Sequence, residues 1–305
     1  MITHFKLRIL ASAVTMMAVL HPAAGHSAPA AAGDTTQADT TQMDHISVQA
    51  TGSGAPVILI PGLASPRAVY DGIVPAIDAT HRVYTVQVNG FGGGDPGKNL
   101  APGILDGIVA DLDAFMAANK LSGAAVVGHS MGGLVGLMLA KAHPDDVGKL
   151  MVVDALPYVG DIFVPGATVA QIEPQAKAIR DRMVASYPTP DAAQAKATAA
   201  GMALTPAAQA KVAAWVTAAD ARVSGQAMYE DMTTDLRPDM AAIATPITLV
   251  YPFSAQLPKE RADAFYRAEY ATAPNVTFVP VADSAHFVML DQPAAFAEAV
   301  ETFLK

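Results

Sequence analysis

The sequence predicts an α/β chain with a doubly wound, mostly parallel sheet and a helical lid inserted between two late strands. Three observations predict it. Short Val- and Ile-rich runs recur, several continuously apolar, such as Val57-Ile58-Leu59-Ile60, as strands buried on both faces of a parallel sheet require. Helix-periodic segments alternate with them. A Gly-x-Ser-x-Gly pattern stands where one such strand gives way to a helix.

The elements follow in order. Lys6 and Arg8 precede an uncharged run over 9–20, and small residues follow at Ala23-Ala24-Gly25 and Ala28-Pro29-Ala30. This is the order of a secretory signal peptide, expected over 1–30, so the chain is expected to be exported, periplasmic or secreted. The uncharged run is too short to cross a bilayer, and no stable membrane span is expected in the mature chain. Residues 31–43, rich in Thr, Ala and Gln, read as a flexible leader. The α/β core is expected over 44–155 and 241–305. Its strands are expected at 45–50, 56–61, 82–88, 124–128, 149–154, 246–251 and 275–281, and its helices at 104–119, 131–143, 259–272 and 293–304. Residues 156–240 hold no strand pattern. They are Ala-rich and punctuated by Pro174, Pro188, Pro190 and Pro206, and are expected to form a layer over the carboxyl edge of the sheet. Met183, Met202, Trp215, Met228 and Met232 recur there at loose helical spacing. Most are expected to pack this layer onto the core and a minority to line a pocket.

Composition narrows the chemistry. With 305 residues, 52% of them apolar, the chain can bury a sizeable core. It has no cysteine, which excludes disulfides, thiol nucleophiles and thiolate metal sites. A net charge of −9 argues against nucleic acid and anionic membrane surfaces as partners. No His-Glu-x-x-His and no Walker-type glycine loop occurs, so neither a metal nor a cofactor is expected. Oligomeric state is not legible.

The chemistry-bearing segment is Gly128-His129-Ser130-Met131-Gly132-Gly133, after Ala124-Ala125-Val126-Val127 and before Leu134-Val135-Gly136-Leu137. A serine on a sharp strand-to-helix turn takes positive φ, and glycines two residues either side remove the Cβ atoms that would clash. Its hydroxyl then stands over a helix N-terminus, which favours developing negative charge. Pro61-Gly62-Leu63 follows an early strand, and Asp283-Ser284-Ala285-His286-Phe287 lies between the last strand and a Pro293-started helix. On these three segments, in this order, the chain resembles the α/β-hydrolase superfamily along essentially all of its mature length.

The resemblance implies roles. Ser130 would be the nucleophile and His286 its general base, then acid to the leaving group. The backbone N–H groups of Met131 and Leu63 would form the oxyanion hole. His129 is read as support for the turn, and the glycine-rich Gly90-Phe91-Gly92-Gly93-Gly94 as a mobile pocket wall with Phe91 inside the pocket. The third triad member departs from the usual pattern, because Pro252-Phe253-Ser254-Ala255-Gln256, where relatives commonly carry the acid, has no carboxylate. Asp154, one strand earlier, is the leading candidate. Asp283, Asp235 and the absence of any acid are the alternatives. The expected activity is a cofactor-free serine hydrolase acting on a small-molecule ester with an apolar part. C–C bond hydrolysis, perhydrolysis, acyl transfer and a non-catalytic binding role on the same fold are the alternatives.

Overall fold

The computed structural model describes residues 39–305. The expected signal peptide and most of the expected leader lie outside the described residues. Eight strands form a single sheet in the order β1-β2-β4-β3-β5-β6-β7-β8. They are β1 Asp39–Gln42, β2 Ile46–Gly52, β3 Ala55–Ile60, β4 His81–Val88, β5 Ala124–His129, β6 Val147–Val153, β7 Ile247–Pro252 and β8 Val276–Val281. β1 pairs antiparallel with β2, and β2 with β4; every other pairing is parallel. All seven expected strands are present. β1 is the correction, because part of the expected leader pairs as an edge strand, Asp39 opposite Ala50 and Gln42 opposite Ser47. Its side chains are all exposed, so it has no apolar alternation by which sequence could reveal it.

The helices are α1 Val74–Ile77, α2 Ile104–Asn119, α3 Met131–Ala142, α4 Gly160–Phe163, α5 Val169–Ala185, α6 Ala192–Met202, α7 Pro206–Ala218, α8 Ala221–Thr233, α9 Lys259–Glu269, α10 Val288–Asp291 and α11 Pro293–Leu304. Among the described residues no helix is long and apolar enough to cross a membrane. The central strands are buried on both faces, and two apolar clusters result. One face packs Ile58, Ile60, Val126 and Val152 against α2 and α3; the other packs Val57, Leu59, Val127 and Met151 against α11. The chain leaves β3 for one side of the sheet and reaches β5 on the other. The carboxyl ends of these two strands therefore flank the point where strand order reverses, the usual place for a site in an open α/β sheet.

Helices α4 to α8 occupy the interval between β6 and β7 and join both clusters. Ala199, Ala203, Ala208 and Val212 pack with Phe287 on one side, while Val223 and Ala227 pack on the other. Hydrogen bonds tie this insertion to the core, among them three sets. The Asp220 N–H donates to the Gly90 carbonyl (2.7 Å). Glu230 accepts from the Gly103 and Leu105 N–H groups at the start of α2 (2.7 and 2.9 Å). Asp291 accepts from the Leu204, Thr205 and Ala285 N–H groups. The last of these binds the insertion and the segment bearing His286 to one carboxylate.

Candidate active site

Ser130 follows β5 and precedes α3 at φ 53°, ψ −126°, a conformation non-glycine residues rarely adopt and one concentrated at functional sites. Close packing holds it there. A Cβ on Gly128 would stand 2.2 Å from the Gly132 carbonyl oxygen, and one on Gly132 2.3 Å from the Ile60 carbonyl oxygen. Neither glycine can be replaced without moving backbone. The Ser130 N–H donates to the Val153 carbonyl (2.9 Å), and the Ser130 carbonyl accepts from the Gly133 N–H (2.7 Å) as α3 begins. Met131 is the first residue of α3, where the N–H has no partner within the helix.

Asp154 follows β6, also at positive φ (46°). Its Oδ2 lies 2.7 Å from His286 Nδ1, and the Tyr266 hydroxyl donates to its Oδ1. With its side chain 13% exposed, burial opposes ionisation of Asp154. The His286 charge and the two hydrogen bonds outweigh it and hold the carboxyl below its ordinary value. The same contact acts in reverse on Tyr266, whose phenol is raised far above its usual range by burial and the neighbouring carboxylate. Tyr266 therefore stays a hydrogen-bond donor. The sequence reading missed it; a tyrosine on an amphipathic helix carries no sign that it will reach a carboxylate 112 residues away.

His129 is fully buried beneath this pair, its ring 4.6 Å from that of His286. Burial, then the His286 charge, pushes its pKa down to about 3, so the ring is neutral. Its Nε2–H donates to the His286 carbonyl (2.9 Å). The residue beside the serine thus fixes the backbone of the candidate base, a support role extended from the turn to the histidine loop.

Ser130, Asp154 and His286 line one cavity of about 540 Å³. Its walls are largely apolar, including Leu134, Leu156, Ile162, Leu257 and Phe265, with Asp231 and Asp161 from the insertion. Two expectations are corrected. Among the described residues no methionine lines this cavity; Met232, for example, is fully buried against Tyr158 and Ile172. Phe91 is likewise a core residue, 1% exposed and outside the lining. Leu63 is not a lining residue either, since its side chain packs into the core. The turn bearing it touches Ser130, however: a Cβ on Gly62 would stand 2.9 Å from that of Ser130. The alternative acids lie apart. Asp283 is exposed, and Asp235 is paired with Arg237 (2.6 Å); neither is a lining residue.

Comparison with known proteins agrees with this architecture. The family model for the alpha/beta hydrolase fold matches residues 55–238. Pimeloyl-(acyl-carrier protein) methyl ester esterase of Aeromonas hydrophila subsp. hydrophila is 32% identical over 112 residues, 37% of this chain and 42% of that protein. N-formylmaleamate deformylase of Pseudomonas putida is 31% identical over 103 residues, 34% of this chain and 38% of the relative. The match thus spans less than half the length of either curated relative. A thermophilic esterase from Thermogutta terrifontis superposes with a TM-score of 0.71 at 20% identity, covering 88% of this chain and 98% of that one. The enol-lactonase of Burkholderia xenovorans LB400 gives 0.69 at 17%, covering 85% and 96%. At such identities the structures share the fold. Because the family model spans more than half of the sequence, the chain belongs to the alpha/beta hydrolase fold family.

Proposed function

We propose that this protein is a serine hydrolase that cleaves a small-molecule ester through an acyl-enzyme on Ser130. The observation that carries the reading is the 2.7 Å contact of His286 Nδ1 with Asp154, on the cavity that Ser130 also lines. A carboxylate on Nδ1 keeps that nitrogen protonated, turns Nε2 to the acceptor role and stabilises the imidazolium that forms when the hydroxyl proton is taken.

The steps balance without an added group. Ser130 Oγ attacks the ester carbonyl carbon as its proton passes to His286 Nε2. The oxyanion is held by the Met131 and Leu63 N–H groups, at the positive end of α3. His286 returns the proton to the departing alkoxide, which leaves as the alcohol. Water then attacks the acyl carbon, giving its proton to His286, and collapse of the second tetrahedral species restores the serine and frees the acid. The apolar walls support a substrate with an apolar acyl or alcohol part. Helices α4 to α8 would act as the lid over this site. Export belongs to the same proposal and rests on the basic, apolar, small-residue order of the first 30 residues.

The test is labelling by a fluorophosphonate probe together with turnover of short and long p-nitrophenyl esters. The wild type should be labelled and active, and Ser130→Ala should lose both. An unlabelled, inactive wild type would remove the enzymatic reading.

A further inference from the structure

Asp231 on α8 lines the same cavity as Ser130 and His286, yet the mechanism makes no use of it. Its residue is 8% exposed. Among the described residues it has no hydrogen-bond or ion-pair partner. The other acids lining the cavity are supplied. Asp154 has His286 and Tyr266, and both oxygens of Asp161 accept from Arg237 Nη1 (2.9 and 3.0 Å). No lysine or arginine is among the described lining residues. A carboxyl that burial removes from most of the solvent and that meets no protein donor is harder to ionise. Here burial pushes the carboxyl up to about 7, against the downward pull of the His286 charge. A group of that kind contributes nothing to holding the fold at neutral pH, which favours a ligand-directed role.

We propose that Asp231 makes this cavity selective for esters that carry a protonated amine, its carboxylate accepting the ammonium N–H while the ester carbonyl lies at Ser130. The inference rests on the serine-hydrolase reading for the second half of that statement. An ammonium supplies both things the carboxyl lacks, a donor and an opposite charge. A hydroxyl would supply the first alone. An anionic group would meet Asp154, Asp161 and Asp231 with no lining lysine or arginine to receive it. The apolar walls suit the carbon skeleton between amine and ester, so one polar anchor fixes orientation in a largely greasy site.

The experiment compares 2-(dimethylamino)ethyl butanoate with its carbon isostere, 3-methylbutyl butanoate, near pH ~7.5, where the amine is mostly protonated and Asp231 mostly ionised. The readout is the ratio of kcat/KM for the two esters, whatever the absolute rates. A charge-assisted hydrogen bond should give the wild type a preference for the amine of about tenfold to a hundredfold. Asp231→Asn should bring the ratio to about one, and Asp231→Glu should retain most of it. A wild-type ratio near one, or one unchanged in Asp231→Asn, overturns the proposal.

Binding of N,N-dimethylbutylammonium, measured by calorimetry in Ser130→Ala and in Ser130→Ala with Asp231→Asn, separates this from failure of the hydrolase reading. Binding at least about tenfold weaker in the double variant supports the cation site even if no ester is turned over. Equal binding in both, or none in Ser130→Ala, overturns it.

Discussion

Two aspartates on one cavity have opposite fates. Asp154, at the carboxyl edge of the sheet, receives hydrogen bonds from His286 and Tyr266 and is held ionised below the usual carboxyl range. Asp231, on the inserted α8, is as deeply placed, receives none, and is pushed up to about 7. Burial acts on both in the same direction; the supply of donors decides the outcome. The strand-edge side of the cavity is therefore built as a preorganised charge that needs no ligand. The insertion side presents, at Asp231, a carboxyl that faces the cavity without a protein donor. One wall is suited to chemistry and the other to selection, and removing each acid should have effects different in kind.

The largest effect is expected from Asp154→Asn. An amide keeps the shape but holds the His286 tautomer wrongly and does not stabilise its cation, so kcat on a p-nitrophenyl ester should fall by about 10³–10⁴. Circular dichroism should show the fold retained. Activity near wild type in this variant would dissolve the comparison at its stronger end.

Asp231→Asn should do the reverse to stability. The folded carboxyl, at about 7 against an ordinary 3.8, keeps a proton that the unfolded chain releases, so the wild type loses stability as pH rises through the window between those values. The variant carries no such penalty. It should match the wild type near pH ~4 and exceed it near pH ~8 by up to about 4 kcal/mol, read from urea melts at the two pH values. A variant less stable at both would make Asp231 structural.

Much of this contrast was legible in the sequence on one side and hidden on the other. The strand-edge wall is written in local signals: an apolar run, glycines two residues either side of Ser130, a histidine between the last strand and a proline-started helix, an aspartate ending Leu150-Met151-Val152-Val153. Each is a backbone or period-two constraint that short windows carry. The insertion wall is not. Asp231 lies in Tyr229-Glu230-Asp231-Met232, beside the exposed-looking acid that caps α2. Which of the two neighbouring carboxylates turns inward depends on how α8 rotates against α5 and the core. The same holds for Tyr266, which reaches Asp154 across the packing of α9 on the sheet. The methionines were expected to contribute to the pocket because they are apolar and helix-spaced. Met202, Met228 and Met232 pack into the apolar clusters instead, and the insertion's apolar share of the lining comes from Leu156, Val159, Ile162 and Pro165 in the β6–α5 connection.

Tyr266→Phe sharpens the stronger end. Asp154 loses one of its two donors, and a hydrogen bond to a charged group contributes about 1.5–3 kcal/mol. The lowered Asp154 carboxyl contributes stability that is present above its ordinary value of 3.8 and lost as pH falls through the folded one. With Phe at 266 the folded value should rise, shrinking that contribution. Near neutral pH the variant should be less stable by about 2 kcal/mol, and its loss on acidification should be shallower. A twofold-to-tenfold fall in kcat is expected as well, because the imidazolium then faces a less firmly held carboxylate. Unchanged stability at neutral pH would mean that the Tyr266 hydroxyl adds nothing to the pairing.

The smallest effect is expected at the third acid. Asp283 lies three positions before His286 in sequence, but its side chain is exposed and it does not line the cavity. Its φ of 50° makes alanine a poor probe, since loss of left-handed tolerance would be mistaken for loss of charge. Asparagine adopts that conformation readily, so Asp283→Asn removes the charge and leaves the turn. Stability should change by no more than about 0.5 kcal/mol, and kcat and the preference between amine and carbon ester should both stay within about twofold. A large fall in kcat would show that proximity in sequence, not the donor geometry around Asp154, marks the acid that serves His286.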